Sequence, residues 1–180
     1  MEQINTNQLD KSCFELIGKD WMLITAQKQN GQVNTMTASW GGMGILWGKE
    51  VAFVFIRPQR YTKEFVDEAG KMSLCFFGEE HRQMLGYMGK ISGRDEDKIA
   101  KCNLSVEHEG DIPYFGEAKL VMTGKVLYQQ NLQEDCFVDQ SLVDKWYAGK
   151  DFHTMYVVEI EKVLAKKKIG MTREDIMKSL

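Results

Sequence analysis

The chain has 180 residues, 43% hydrophobic and 27% charged, enough to bury a sizeable core, since a domain of about 150 residues removes roughly 70% of its unfolded-chain surface from water. Only 2 prolines against 4 tryptophans, 9 phenylalanines and 6 tyrosines exclude a Pro-rich linker or a disordered chain, and predict one domain over residues 1–180 whose aromatics fill a core or hold a flat ligand. A net charge of −3 lacks the basic footprint of a nucleic-acid binder, and the longest apolar run, Val51 to Ile56, falls far short of the roughly 20 residues of a membrane span.

Met1-Glu2-Gln3-Ile4-Asn5 carries neither the basic region nor the apolar stretch of a signal peptide, so a cytoplasmic protein is expected. Strand-like runs at Trp21–Ala26 and Val33–Trp40 flank Asn30-Gly31, a hairpin signal. The stretch Gly41 to Gly48 fails as a dinucleotide fingerprint: after Gly42-Met43-Gly44 the third glycine is due where Trp47 stands, and no helix follows. It reads as a flexible loop. Val51–Ile56 is a strand, and Thr62–Ala69 a helix with Phe65, Val66 and Ala69 spaced along it. Met72–Phe77 is a strand, Glu79–Met88 a helix, and Arg94–Cys102 a shorter helical candidate. Lys119–Tyr128 and Thr154–Leu164 are strands, Ser141–Tyr147 a short helix, and Thr172-Arg173-Glu174-Asp175 a C-terminal turn with a capping-box pattern. Strands that do not alternate with long helices exclude a doubly wound parallel sheet. A mainly β fold, an antiparallel barrel or sandwich with a few decorating helices, fits instead.

Cys13, Cys75, Cys102 and Cys136 form no C-x-x-C pair, and His81, His108 and His153 no helical H-x-x-x-H pair. No metal site is expected, and the cysteines read as free thiols of a reducing compartment.

Two segments carry chemistry. In Asn34-Thr35-Met36-Thr37-Ala38-Ser39-Trp40 alternation places Thr35, Thr37 and Ser39 on one face and Met36, Ala38 and Trp40 on the other. A row of hydroxyls can donate and accept along the edge of a polar heterocycle, or simply be tolerated on a solvent face. In Arg57-Pro58-Gln59-Arg60-Tyr61-Thr62 Pro58 ends the strand and Thr62 is the expected N-cap of the next helix. The helix start and the Arg60 guanidinium together suit an anion; a capped surface helix with solvated arginines is the other reading. A hydroxyl-lined strand near an anion pocket suggests a phosphorylated heterocycle.

These two segments, with Phe76-Phe77-Gly78-Glu79-Glu80-His81-Arg82 and Ser92-Gly93-Arg94-Asp95-Glu96-Asp97-Lys98, resemble the flavin reductase-like family of FMN-binding split β-barrels, flavoredoxins among them, over residues 15 to 165. The resemblance implies an antiparallel Greek-key split barrel that holds FMN non-covalently near a homodimer interface. The cofactor-binding set it implies is Thr35, Met36, Thr37, Ala38, Ser39 and Trp40 along the flavin; Arg57, Arg60, Tyr61 and Thr62 at the phosphate and ribityl chain; and Ser92 and Lys98, the latter a second cation at the phosphate. Many family members have Gly-Asp-His before the last barrel strand, associated with nicotinamide binding. Here Gly149-Lys150-Asp151-Phe152-His153 interrupts that tripeptide. His153 is a catalytic candidate or an ordinary hydrogen-bonded structural residue, and FMN is better supported than NADH or NADPH. The expected function is an FMN-binding oxidoreductase, NAD(P)H-dependent, whose partner is a small-molecule redox substrate or electron acceptor. The alternative is an FMN-binding electron carrier or sensor with no NAD(P)H turnover of its own.

Overall fold

The expected hairpin forms from β2 (Met22–Gln27) and β3 (Val33–Ala38), with Thr25 opposite Thr35, in a computed structural model that describes residues 1–166. The chain reverses at a turn closed by Gly31 N–H on the Lys28 carbonyl at 2.9 Å; Gly31 has φ +86°, a conformation that favours glycine. β3 stops at Ala38, so Ser39 and Trp40 lie beyond the strand expected to carry them.

The stretch expected to be a flexible loop is instead a strand. β4 (Gly41–Leu46) pairs antiparallel with β5 (Lys49–Ile56). Its connection is Trp47-Gly48 with φ of 52° and 69°, the two positive values of a type I′ hairpin turn. Glycines give no β-propensity signal, and the main-chain ladder to β5 carries this strand. A Cβ on Gly41 would lie 2.7 Å from the Phe53 carbonyl, so the close backbone approach requires the glycine.

After α1 (Tyr61–Ala69) come β6 (Lys71–Phe76), a 3₁₀ turn (Glu79–His81) and α2 (Arg82–Lys90). The helix expected over Arg94–Cys102 shrinks to one turn, α3 (Lys98–Lys101), because Asp97 accepts the Ala100 N–H at 3.0 Å and caps it there. A hairpin the sequence did not announce follows, β7 (Val106–Glu109) and β8 (Ile112–Phe115). β9 (Leu120–Asn131), α4 (Ser141–Trp146) and β10 (Thr154–Ala165) complete the described chain. The expected turn at Thr172–Asp175 lies outside the described residues.

The main sheet runs β3-β2-β6-β9-β10-β5-β4, every pair antiparallel. β1 (Glu2–Ile4) pairs with the far end of β10. Alternation along β2 explains the layers: Met22, Ile24 and Ala26 enter the core inside the sheet, whereas Leu23 joins a second cluster under α2 and β8 with Phe77, Leu85, Met88 and Phe115. Phe76 and Phe77 are buried, while Phe53 and Phe55 are only half-buried. No described helix is long and apolar enough to cross a membrane.

Candidate functional site

β3 supplies the hydroxyl row, and α2 lies across it. Thr35 is fully buried; its hydroxyl accepts from Thr25 at 2.9 Å and donates to the Ile24 carbonyl at 3.0 Å. Thr37 donates to the Leu85 carbonyl of α2 at 2.6 Å, and a Cβ on Gly89 would meet the Thr37 Cβ at 3.4 Å. The expected hydroxyl face is therefore closed along most of its length. Ser39 differs: its hydroxyl has no hydrogen bond among the described residues. Met36 and Ala38 belong to the core on the opposite face, which leaves their main chain as what a ligand could meet. Trp40 is 41% exposed.

The second group gathers at the C-terminal end of α2. Arg60, not Thr62, is the N-cap residue of α1, and no side chain caps that helix. Thr62 is the second helical residue, buried, with its Oγ1 accepting from Asn34 Nδ2 at 3.0 Å. Arg60 Nη1 donates to the Gly89 carbonyl at 2.7 Å. Lys98 Nζ donates to the carbonyls of Met88 and Ile91, both at 2.9 Å. The last carbonyls of a helix lack intrahelical partners and carry partial negative charge, so this helix end accounts for both cations. It does not neutralise them. Among the described residues neither Arg60 nor Lys98 has an ion pair. Burial lowers the pKa of Arg60. Burial, and then the Arg60 charge, pull Lys98 down to about 8, and Lys98 is only 3% exposed. Two adjacent, poorly solvated cations without a counter-ion are chemically suited to an anion.

Nearby side chains hold this arrangement. The Arg94 guanidinium stacks 4.4 Å from the Tyr61 ring centroid and pairs with Glu64. Tyr61 packs edge-on against Phe65 with centroids 4.9 Å apart. Ser92 Oγ accepts the Arg94 N–H at 3.2 Å, which closes the turn before Lys98. A cavity of about 650 Å³, its lining about equally polar and apolar, is bordered by Asn34, Gly93, Asp97, Lys98 and His108, among others. A groove of about 340 Å³ between the N-terminus and β10 includes none of the expected site residues.

Arg57 and His153 belong to a different cluster. Arg57 pairs with Asp151, donates to the Trp146 carbonyl at 3.0 Å and lies 5.2 Å from the Tyr147 ring centroid. Gln59 donates to the same Asp151 carboxylate at 2.8 Å. These two donors, Gln59 and then Arg57, hold the Asp151 carboxyl below its ordinary pKa. His153 Nδ1 is hydrogen-bonded to the Tyr147 hydroxyl at 2.8 Å. Burial first, then the Arg57 charge, push its pKa down to about 4, so the imidazole is neutral at pH 7. Trp40 stands edge-on to Trp146 at 5.0 Å and tilted against His153 at 5.3 Å.

The expected residues therefore divide. Arg60, Tyr61, Thr62, Ser92 and Lys98, with Thr37, surround the end of α2, whereas Trp40, Arg57 and His153 join Trp146, Tyr147 and Asp151 on the segment between β9 and β10. Asn34 went unrecognised, although an amide next to the hydroxyl run was its signal. The carbonyls of Met88, Gly89 and Ile91 left no signal, because main-chain acceptors have no side-chain signature.

The family model described as flavin reductase like domain matches residues 15–172. No curated protein matches the chain. Among solved structures, flavoredoxin from Desulfovibrio vulgaris superposes with a TM-score of 0.67 at 19% identity, covering 97% of this chain and 81% of its own. An FMN-binding domain of a flavin reductase-like enzyme from Shewanella baltica gives a TM-score of 0.67 at 16% identity, covering 97% and 83%. The flavin reductase of styrene monooxygenase from Pseudomonas putida gives 0.61 at 13% identity, covering 83% and 80%. At these identities the structures establish a shared fold, the flavin reductase-like split barrel, and the family model covers most of the sequence. The chain belongs to the flavin reductase-like family.

Proposed function

We propose that this chain is an FMN-binding oxidoreductase that takes hydride from NADH or NADPH and passes electrons to a small-molecule acceptor, working as a homodimer of one domain over residues 1–180. The observation that supports this most is the pair of cations, half-buried Arg60 and buried Lys98, held by the carbonyls of Met88, Gly89 and Ile91 with no carboxylate partner among the described residues. A phosphate monoester matches that charge, and arginine suits its oxygens geometrically.

The residues present fit FMN. Arg60 and Lys98 would hold the phosphate, with the first amides of α1 and the Thr62 hydroxyl as neutral donors. Tyr61 and the Ser92 turn would flank the ribityl chain. Thr37, its proton already engaged by Leu85, offers lone pairs only, while Ser39 can both donate and accept. Thr35 and Met36 contribute main chain, as does Ala38, and Trp40 offers a flat apolar face. When bound, FMN supplies a ring that accepts a hydride and returns electrons. Trp40 would offer the ring its exposed face, while the chain keeps His153 neutral beside Tyr147. Four free cysteines fit the reducing cytoplasm.

A second reading, an electron carrier or sensor without NAD(P)H turnover, is favoured by one observation. Asp151 is engaged by Arg57 and Gln59, and His153 by Tyr147, so the segment matched to the family's nicotinamide motif is occupied by internal contacts. An absorbance spectrum of purified protein given FMN, followed by anaerobic titration with NADH and NADPH, separates the readings. Bleaching by either nucleotide supports the oxidoreductase; bleaching by dithionite alone supports the carrier. Failure to bind FMN overturns both.

A further inference from the structure

Asn34 is 5% exposed, next to the buried Thr35 and Met36 of its strand. Its Nδ2 donates to Thr62 Oγ1 at 3.0 Å. Its Oδ1 lies against Gly93, so close that a Cβ there would come within 2.2 Å. One amide therefore touches both segments that carry the cations: the start of α1, which follows Arg60, and the turn that leads to Lys98.

The direction of the hydrogen bond matters. A threonine hydroxyl has one proton to give and lone pairs to accept with. The N–H of Asn34 occupies a lone pair of Thr62, so the Thr62 proton must point elsewhere, and no described residue accepts it. A buried hydroxyl proton with no acceptor among the described residues, on the helix that follows Arg60, adds a third group of the same polarity to two cations that have no ion pair among those residues. The contact at Gly93 does a second job. With no Cβ, the turn closes onto the amide and seats Lys98 under the end of α2, where Nζ reaches Met88 and Ile91.

We propose that Asn34 is a positioning residue for the anion site: it fixes Thr62 as a donor toward a bound phosphate and holds the Gly93 turn, and with it Lys98, beside Arg60. This rests on the FMN reading. Asn34 touches no ligand in this role; it acts through Thr62 and Gly93.

The test compares FMN with riboflavin, which lacks the phosphate, by flavin fluorescence quenching on apoprotein, with Tm measured alongside. One donor bond to a charged group is worth about tenfold or more in affinity, so Asn34→Ala should weaken FMN by about that factor and leave riboflavin within about twofold. In a Thr62→Val background the same change should cost less, because the donor it orients is already gone. Asn34→Ser, polar but too short to reach Thr62, should show the same selective loss and serves if the alanine variant does not fold. Equal weakening of both flavins, or a lower Tm with an unchanged FMN-to-riboflavin ratio, overturns the proposal. Wild-type protein that binds neither flavin overturns the FMN reading instead.

Discussion

Replacing Lys98 with methionine keeps the side chain's length and removes one of the two cations at the end of α2. Two opposing effects on the apoprotein can be sized. The lysine pKa drops from 10.5 to about 8 in the folded chain, and at 1.36 kcal/mol per unit this costs the native state about 3 kcal/mol at neutral pH. The variant escapes that cost but loses two hydrogen bonds, to Met88 and Ile91, of about 1 kcal/mol each. A net gain of about 1 kcal/mol follows, roughly 2–4 °C in Tm for a chain of this size. FMN binding should move the other way, by about 10- to 100-fold, as a charge-assisted bond to the phosphate disappears. The pH dependence carries the same signature. Because the folded pKa lies below the unfolded one, the penalty is complete below pH 8 and fades as pH rises from 8 to 10.5. Lys98 should therefore add stability to the wild-type apoprotein across that window and add nothing in the variant. Thermal melts of both proteins from pH 7 to 10, with calorimetric titration of FMN at pH 7, measure all three effects. A variant that melts several degrees lower and binds FMN as well as wild type would refute the reasoning, and make Lys98 a structural strut.

Arg57→Ala leaves Asp151 to Gln59 alone and frees the Trp146 carbonyl, and should loosen the segment between β9 and β10. Tryptophan emission should shift to the red and proteolysis there should speed up, while global stability falls by no more than about 1 kcal/mol, as for other partly exposed ion pairs. FMN affinity should stay within about threefold, and a loss equal to that of Arg60→Ala would return Arg57 to the phosphate. His153 should titrate near pH 4 by NMR rather than near 6.5; its folded pKa lies below the unfolded value, so its contribution to stability falls as pH drops from 6.5 through 4. A midpoint near 6.5 would contradict its burial beside Arg57. Gly124→Ala would place a Cβ 2.0 Å from the Glu159 carbonyl in the β9–β10 ladder, and should cost about 3 kcal/mol or more by urea denaturation. Near-wild-type stability would show that the ladder can shift there.

Val51–Ile56 and Met72–Phe77 were legible as strands because β-branched and aromatic runs bounded by turn residues carry a local signal. β4 was not, since its glycines express no preference and its hydrogen bonds go to β5. The same division runs through the site. Alternation places Thr35, Thr37 and Ser39 on one face, yet only the packed structure shows α2 covering that face, with Thr37 bonded to Leu85. The resemblance picked out Arg60 and Lys98 as residue types at matching positions. Their partners are main-chain carbonyls of residues with apolar or no side chains, and burial, which lowers the pKa of both, follows only from the packing. Thr62 looked like a helix cap because a hydroxyl near a helix start usually is one; here the cap position falls two residues earlier, at Arg60, and Asn34 takes the hydroxyl across from β3.

Arg57 and Arg60 show how two residues of one type, three positions apart, meet protein partners of different charge. Both stand in the short connection between β5 and α1, and either could grip a phosphate by chemistry. Arg57 leaves the end of β5 toward the segment before β10, where the Asp151 carboxylate, distant in sequence, neutralises it. Arg60 turns under α2 and meets a carbonyl. A carboxylate partner cancels a guanidinium's field at a distance, whereas a carbonyl dipole only orients it, so most of the attraction for an anion survives at Arg60 and little at Arg57. Lys98 follows the same rule, held by two carbonyls and no carboxylate. What separates Arg57 from Arg60 and Lys98 in this chain is the charge of the protein partner, and for Arg57 that partner lies 94 residues away.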